Sequence, residues 1–337
     1  MAETVILGRS GLAVSRICLG TMTFGGRTDE AEASRIYARA RDAGINFVDT
    51  ADVYNGGRSE ELVGRLIKAD RSNVVLATKA ANAMSDDPNH RGLSRRWLVD
   101  AVEGSLRRLG TDAIDILYLH KEDPHTPLQE TVRAVEDLVR SGKIRYFGVS
   151  NHRAWRVAEI VRFCDEANIT RPVVCQPYYH ALYRVIEVEL LPACAHFGIG
   201  VFCYSPLARG VLSGKYTGAV VPDDSRVGSS DARIIETEFK PQTIAAAQRI
   251  VDRARAMGVS PTAYAVAFVN ANPIVSGAIA GPRTLAQWED YLGALDVEWS
   301  AEEEEFVESV VPSGSTTVHH YVDPQYPIEG RPTGHLK

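Results

Sequence analysis

The 337-residue sequence holds no run of about 18 uninterrupted apolar residues, so it offers no membrane-spanning helix and no membrane partner is expected. Its five cysteines (Cys18, Cys164, Cys175, Cys194, Cys203) are scattered, without C-x-x-C spacing and without the density of a secreted disulfide scaffold. Glu3 and the Gly8-Arg9-Ser10-Gly11 break deny the N-terminus the apolar core of a signal peptide, which points to a reduced, cytoplasmic chain. A net charge of -6 and a pI near 5.9, with no dense Lys/Arg stripe outside helical faces, argue against nucleic acid as a partner. Motifs of several chemistries are missing too. There is no G-x-S-x-G nucleophile elbow, and Leu212-Ser213-Gly214-Lys215-Tyr216 lacks both the first glycine and the Ser/Thr of a P-loop. His120, Asp123 and His125 show no recognised metal-ligand spacing, and His319-His320 lies in an irregular tail, so no metal is expected.

What the sequence does contain is a regular alternation. Eight short β-rich runs occupy 15–21, 45–50, 74–79, 114–120, 144–150, 173–176, 199–205 and 274–279. Helical stretches lie between them. Asp29 precedes one whose Ala33, Ile36, Tyr37 and Ala40 share a face before Gly44. Ser94 precedes another that carries Leu98, Val102, Ser105 and Leu109 and stops at Gly110. Thr126-Pro127 reads as an N-cap followed by a first-turn proline, with the stop at Gly142. Eight β/α units in about 300 residues have the rhythm of a closed (β/α)8 TIM barrel, here one α/β domain over residues 1–337. A doubly wound open sheet is the competitor, but no composition break marks a second domain and its G-x-G-x-x-G fingerprint is absent. The segment from Leu207 to about Pro241 is long enough to be a functional loop. The Pro/Gly-rich tail after Val311 reads either as a frayed terminus or as an arm over the barrel mouth, and Tyr321 and Tyr326 favour the arm.

In a barrel all eight strand ends open on one face. Here that face would carry Gly20, Thr21, Met22, Asp49, Lys79, His120, Ser150, Asn151, Gln176 and Tyr204, with Tyr54 just beyond the second strand. Singly, each has a plain structural role: Asp49 a turn residue, Tyr54 a rim aromatic, Lys79 a snorkelling lysine, His120 a core-edge histidine. Together they are complementary. A half-buried lysine needs a carboxylate, and a phenol beside the ammonium would have its pKa lowered from about 10 toward the working range. Such a phenol suits a reaction in which charge developing on oxygen is quenched by a proton, as in carbonyl reduction. The hydride source does not follow from these residues.

The sequence resembles the aldo-keto reductases in order along nearly its whole length. The likeness runs through LGRSGLAVSRICLGTMTFGG, DTADVYNGGRSEELVGRLI, DAIDILYLHKED, GKIRYFGVSNH, YSPLARGVLSGKY and AGPRTLAQWEDYLGAL. The resemblance implies a barrel whose bottom is plugged by an N-terminal β-hairpin around residues 4–14, and a nicotinamide cofactor, usually NADPH/NADP+, bound without a Rossmann motif. It places Asp49, Tyr54, Lys79 and His120 on the family's catalytic tetrad: Tyr54 as proton donor, Lys79 with Asp49 depressing its pKa, His120 orienting a small-molecule carbonyl. Ser150, Asn151 and Gln176 would hold the carboxamide, and Tyr204 would stack under the nicotinamide. Gly20, Thr21 and Met22 would border it, and Ser205, Leu207, Gly210, Ser213 and Lys215 would line the pyrophosphate. Gly281, Arg283, Gln287, Asp290 and Tyr291 would take the adenosine end, where Arg283 and free amides at a helix start suit a 2′-phosphate. Tyr291 stands where the family usually has asparagine, and Asp290 where glutamate is commoner. The pocket rim is expected from Met22, Phe24, Tyr54, the stretch after His120 and the tail aromatics. The alternative function is a nucleotide-binding regulatory subunit with slow turnover.

Overall fold

The computed structural model describes residues 3–318 apart from 217–220 and 224. Each of the eight apolar runs becomes a strand: β3 (Ile17–Gly20), β4 (Phe47–Asp49), β5 (Val75–Ala80), β6 (Ile114–Leu119), β7 (Ile144–Ser150), β8 (Val174–Gln176), β9 (Gly200–Cys203) and β10 (Gly277–Ala280). All pair in parallel and close into a barrel in the order β10-β3-β4-β5-β6-β7-β8-β9. Before them come β1 (Thr4–Ile6) and β2 (Ala13–Ser15), an antiparallel hairpin. Its Leu7 and Val14 are fully buried against inward-facing Cys18, Phe47, Val75, Ala77, Ile116, Tyr118 and Phe202. The hairpin therefore fills one end of the barrel with side chains and leaves the polar strand ends at the other.

A larger apolar layer lies between the barrel wall and the helices α1 (Glu30–Asp42), α2 (Arg58–Ile67), α3 (Arg95–Leu109), α4 (Leu128–Arg140), α5 (Ala154–Ala167) and α6 (Leu190–Phe197), one after each of β3 to β8. Two starts follow the sequence expectation. The Asp29 side chain accepts from the Glu32 amide, the Ser94 hydroxyl from the Trp97 amide, and α1 buries Ala33, Ile36, Tyr37 and Ala40. The third start differs. Pro127 itself occupies the cap, because the Thr126 hydroxyl is spent on Asp123 at 2.7 Å. The long segment after β9 contains a short 3-10 turn at 208–213 and α7 (Ala232–Glu236), followed by α8 (Pro241–Ala256) and α9 (Pro261–Ala271). After β10 come α10 (Leu285–Leu292) and α11 (Ala301–Val310). Beyond α11, Thr316 bridges Tyr183 in the loop after β8. Tyr321 and Tyr326, on which the expected arm rests, lie outside the described residues, as do His319 and His320. The five cysteines are buried and free, and no helix among the described residues is long and apolar enough to cross a membrane.

One register row supports the site from beneath. Lys79 pairs with Tyr118, Tyr118 with Gly148, and Gly148 with Val174. A Cβ on Gly148 would meet Val174 Cγ1 at 2.6 Å, Val174 O at 2.6 Å and Tyr118 Cε1 at 2.9 Å, so glycine is what leaves room for the buried Tyr118 ring, whose centroid lies 5.8 Å from Lys79 Nζ. Gly148→Ala is expected to cost about 1–3 kcal/mol of stability by overpacking, read as a lower urea midpoint; an unchanged midpoint would show that the wall yields at no cost.

Candidate active site

Strand register brings the first two groups together. Asp49 pairs with Ala77 across β4 and β5, and Lys79, two residues on, points to the same inner face. The Lys79 side chain has no exposure and that of Asp49 has 3%. The ammonium spends its three N–H groups on Asp49 Oδ2 at 2.5 Å, the Thr50 carbonyl at 2.7 Å and the Tyr54 phenol oxygen at 3.3 Å. Asp49 Oδ1 accepts from Gln176 Nε2 at 3.0 Å, so the carboxylate is held from both sides. The His120 ring lies edge-on to Tyr54, with centroids 6.1 Å apart. The structure thus gathers all four expected side chains at the C-terminal end of the barrel.

Tyr54 arrives on irregular chain, and specific side chains hold it. It opens a 3-10 turn at 54–57 in which Asn55, Gly56 and Gly57 have positive φ, leading directly into α2. Asn55 Nδ2 donates to the carbonyls of Met22 and Phe24, and the buried Ser59 hydroxyl contacts Thr21 and Thr50. The turn is therefore bound to the ends of β3 and β4, and this fixes the phenol over Lys79.

The electrostatics correct one expectation. Burial raises the Tyr54 pKa above its ordinary value; Lys79 lowers it, but Asp49 raises it again. The phenol is not pulled toward neutrality. It stays protonated, and since Lys79 donates into its oxygen, its own hydrogen is left to point elsewhere. Burial pulls the Lys79 ammonium down, yet Asp49 and Tyr54 carry it above its usual value. Asp49 is raised by burial against the opposing pull of Lys79 and Gln176. His120 is held well below the usual histidine range by burial and by Lys79 and Lys121, so it is neutral. Asp52, buried beside Glu60, is pushed up to about 8.

The expected carboxamide trio forms a connected chain of hydrogen bonds. Ser150 Oγ donates to the Gln176 carbonyl at 2.8 Å, Asn151 Nδ2 donates to Ser150 Oγ and the His120 carbonyl, and Tyr204 Oη donates to Asn151 Oδ1 at 2.7 Å. Thr21, fully buried, binds the Asp49 carbonyl, while Gly20 lies against Ile279 and the partly exposed Met22 reaches the rim. Phe24 does not line the rim: it is wholly buried in the outer core. In the loop after β9, Ser205 and Gly210 have positive φ, Ser213 Oγ closes on the Gly210 carbonyl, Leu207 is buried, and Lys215 Nζ lies 2.9 Å from where a Gly210 Cβ would be.

At the start of α10 the amides are largely engaged rather than free. Arg283 N–H donates to Gln287 Oε1, Leu285 N–H to Glu32, and Gln287 N–H to Thr284 Oγ1. Tyr291 is buried with its hydroxyl at the Gly281 backbone, and Asp290 is exposed. A dinucleotide still fits these residues. A Cβ on Gly281 would find nothing nearer than the Gly20 carbonyl at 3.9 Å, so the backbone there is open to a ligand. Among the described residues no group of three or more His, Cys, Asp or Glu converges as a metal site. Sequence pattern gave no role to Asn82, whose amide meets His120, nor to Asp52, nor to the buried Glu60 that binds Thr78 and Arg108; Asp52 and Glu60 had a signal in lying within the DTADVYNGGRSEE stretch, and Asn82 had none.

A closed barrel with these four groups at its mouth is the architecture of an oxidoreductase family. Residues 16–311 match the Aldo/keto reductase family, and the chain belongs to it. It is similar to a rice protein named "Probable voltage-gated potassium channel subunit beta" (37% identity, covering 86% of this chain and 90% of the relative). It is also similar to the uncharacterized oxidoreductase YrpG of Bacillus subtilis (38%; 88% and 91%) and to a Schizosaccharomyces pombe protein provisionally named aryl-alcohol dehydrogenase (33%; 90% and 93%).

Removing one member of the buried ion pair strands the other charge. Lys79→Met and Asp49→Asn are each expected to destabilise the fold by about 3–5 kcal/mol, with the double variant losing clearly less than the sum. Additive losses in urea unfolding would show that the two groups are not coupled.

Proposed function

We propose that the chain reduces aldehyde or ketone carbonyls to alcohols, reversibly, with NADPH as reductant and Tyr54 as proton donor. The observation that carries this reading is the direction of the Lys79 hydrogen bond: it runs into the phenol oxygen, leaving the Tyr54 proton for a carbonyl oxygen at the mouth. Bound there, the reduced nicotinamide would supply the hydride. Lys79, fixed by Asp49 and the Thr50 carbonyl, stabilises the negative charge left on Tyr54 once its proton is given up. Neutral His120 orients the carbonyl. Tyr204, anchored through Asn151, supports the nicotinamide ring, and Ser150, Asn151 and Gln176 face its carboxamide. Arg283 favours NADP(H) over NAD(H), and residues 1–337 act as one barrel domain. The fission-yeast relative's name supports aryl carbonyls or alcohols as the first compounds to try.

A second reading, a nucleotide-binding regulatory subunit with slow turnover, draws on the name of the rice relative. Single-turnover kinetics separate the two: bound NADPH that stays reduced for minutes with every carbonyl offered favours the subunit.

The phenol sets the pH behaviour. Its pKa is raised in the fold, so reduction needs no deprotonation and kcat/KM should stay level through about pH 9, whereas alcohol oxidation, which needs the phenolate, should rise with pH. Tyr54→Phe is expected to lower kcat on the order of 10²–10⁴-fold while NADPH still quenches protein fluorescence. A reduction limb falling near neutral pH, or a Tyr54→Phe variant with wild-type turnover, contradicts this reading.

A further inference from the structure

His120 has two ring nitrogens, and only one of them can serve a carbonyl. Its backbone is fixed on both sides: the amide donates to the Ala80 carbonyl at 3.0 Å, and its carbonyl accepts from Asn151 Nδ2 at 2.9 Å. The ring has one side-chain hydrogen bond, between Nδ1 and Asn82 Nδ2 at 3.0 Å. Asn82 lies in the loop after β5, three residues beyond Lys79 and outside the tetrad and cofactor path. An amide nitrogen only donates, so Nδ1 must accept and the single proton of a neutral imidazole must sit on Nε2.

We propose that Asn82 is a positioning residue that fixes His120 as the Nε2–H tautomer, so that the imidazole offers a donor, not a lone pair, to the carbonyl oxygen of the substrate. The assignment rests on the carbonyl-reductase reading above for its consequence, though not for its geometry. The tautomer matters because His120 is neutral, with burial and the ammonium groups of Lys79 and Lys121 opposing its protonation. An imidazolium would donate from both nitrogens and need no such guide. With the opposite tautomer, Nε2 would set a lone pair against the carbonyl oxygen and repel it.

Asn82→Asp keeps the size and inverts the bond: a carboxylate only accepts, so it draws the proton to Nδ1 or, at lower pH, charges the ring. Asn82→Ala removes the bond and leaves the tautomer unguided. Long-range ¹H–¹⁵N NMR of histidine-labelled protein, with His120→Gln to identify the signal, reads the tautomer without any turnover. A failure here is therefore distinguishable from a failure of the reductase reading. The expected result is Nε2–H in wild type, Nδ1–H in Asn82→Asp on the alkaline side, and a mixture in Asn82→Ala. In turnover on the alkaline side the isosteric Asp variant should be the worse of the two, its kcat down on the order of 10²-fold and partly recovered as pH falls and the ring charges. NADPH fluorescence quenching should not change. A wild-type His120 protonated on Nδ1, an Asp variant that keeps the Nε2–H tautomer, or an Asp variant no slower than Ala on the alkaline side overturns the assignment.

Discussion

The Lys79–Asp49 pair is the interaction on which the rest of the site depends. Two opposite charges are withdrawn from water at the neck of a barrel, and neither is tolerable there without the other. The pairing is set by register, since Asp49 lies level with Ala77 and Lys79 follows two residues later on the same face. Once it is in place, each remaining hydrogen-bonding position of the pair has a defined partner: the Thr50 carbonyl, the Tyr54 phenol oxygen and the Gln176 amide. From Gln176 the contacts continue through Ser150 and Asn151 to the backbone of His120 and the hydroxyl of Tyr204. The proposed proton donor, the proposed carbonyl-orienting group and the candidate nicotinamide platform are thus coupled through one buried network.

Much of this was legible in the sequence because the underlying signals are local. Each of the eight β-rich runs became a barrel strand, since a parallel strand buried on both faces reads as a short apolar run. The buried stripe of α1 and the caps at Asp29 and Ser94 followed from helical spacing and side-chain chemistry. The convergence of Asp49, Lys79 and His120 followed from barrel geometry, because strand ends share a face. Tyr54 is the less obvious member. It comes from a left-handed turn whose placement depends on Asn55 and Ser59 reaching back to the ends of β3 and β4, contacts that no periodicity announces.

The expectations that failed were those that depended on competition between neighbours. Lysine beside a phenol suggests a lowered pKa, but burial and the nearby Asp49 outweigh the ammonium, and the sign of that sum is set by depth. Phe24 was expected at the rim and lies in the core, in a turn closed by its amide on the Thr21 carbonyl. Thr126 looked like a cap and instead serves Asp123, which also binds the Leu93 and His125 amides. The start of α10 looked open to an anion through its amides, yet Glu32 and Gln287 occupy two of them. In each case the local residue type was read correctly, and packing or a competing partner that no periodicity announces decided its use.

The central claim is that Tyr54, placed over the buried ion pair, is kept a protonated phenol by burial, with Asp49 adding to that effect and Lys79 opposing it. A ¹³C NMR titration of ζ-labelled tyrosine in the cofactor-free protein, with Tyr54→Phe to identify the signal, measures it directly. A Tyr54 midpoint above that of ordinary tyrosine is the expected result; a midpoint below it, toward neutral pH, would contradict the claim.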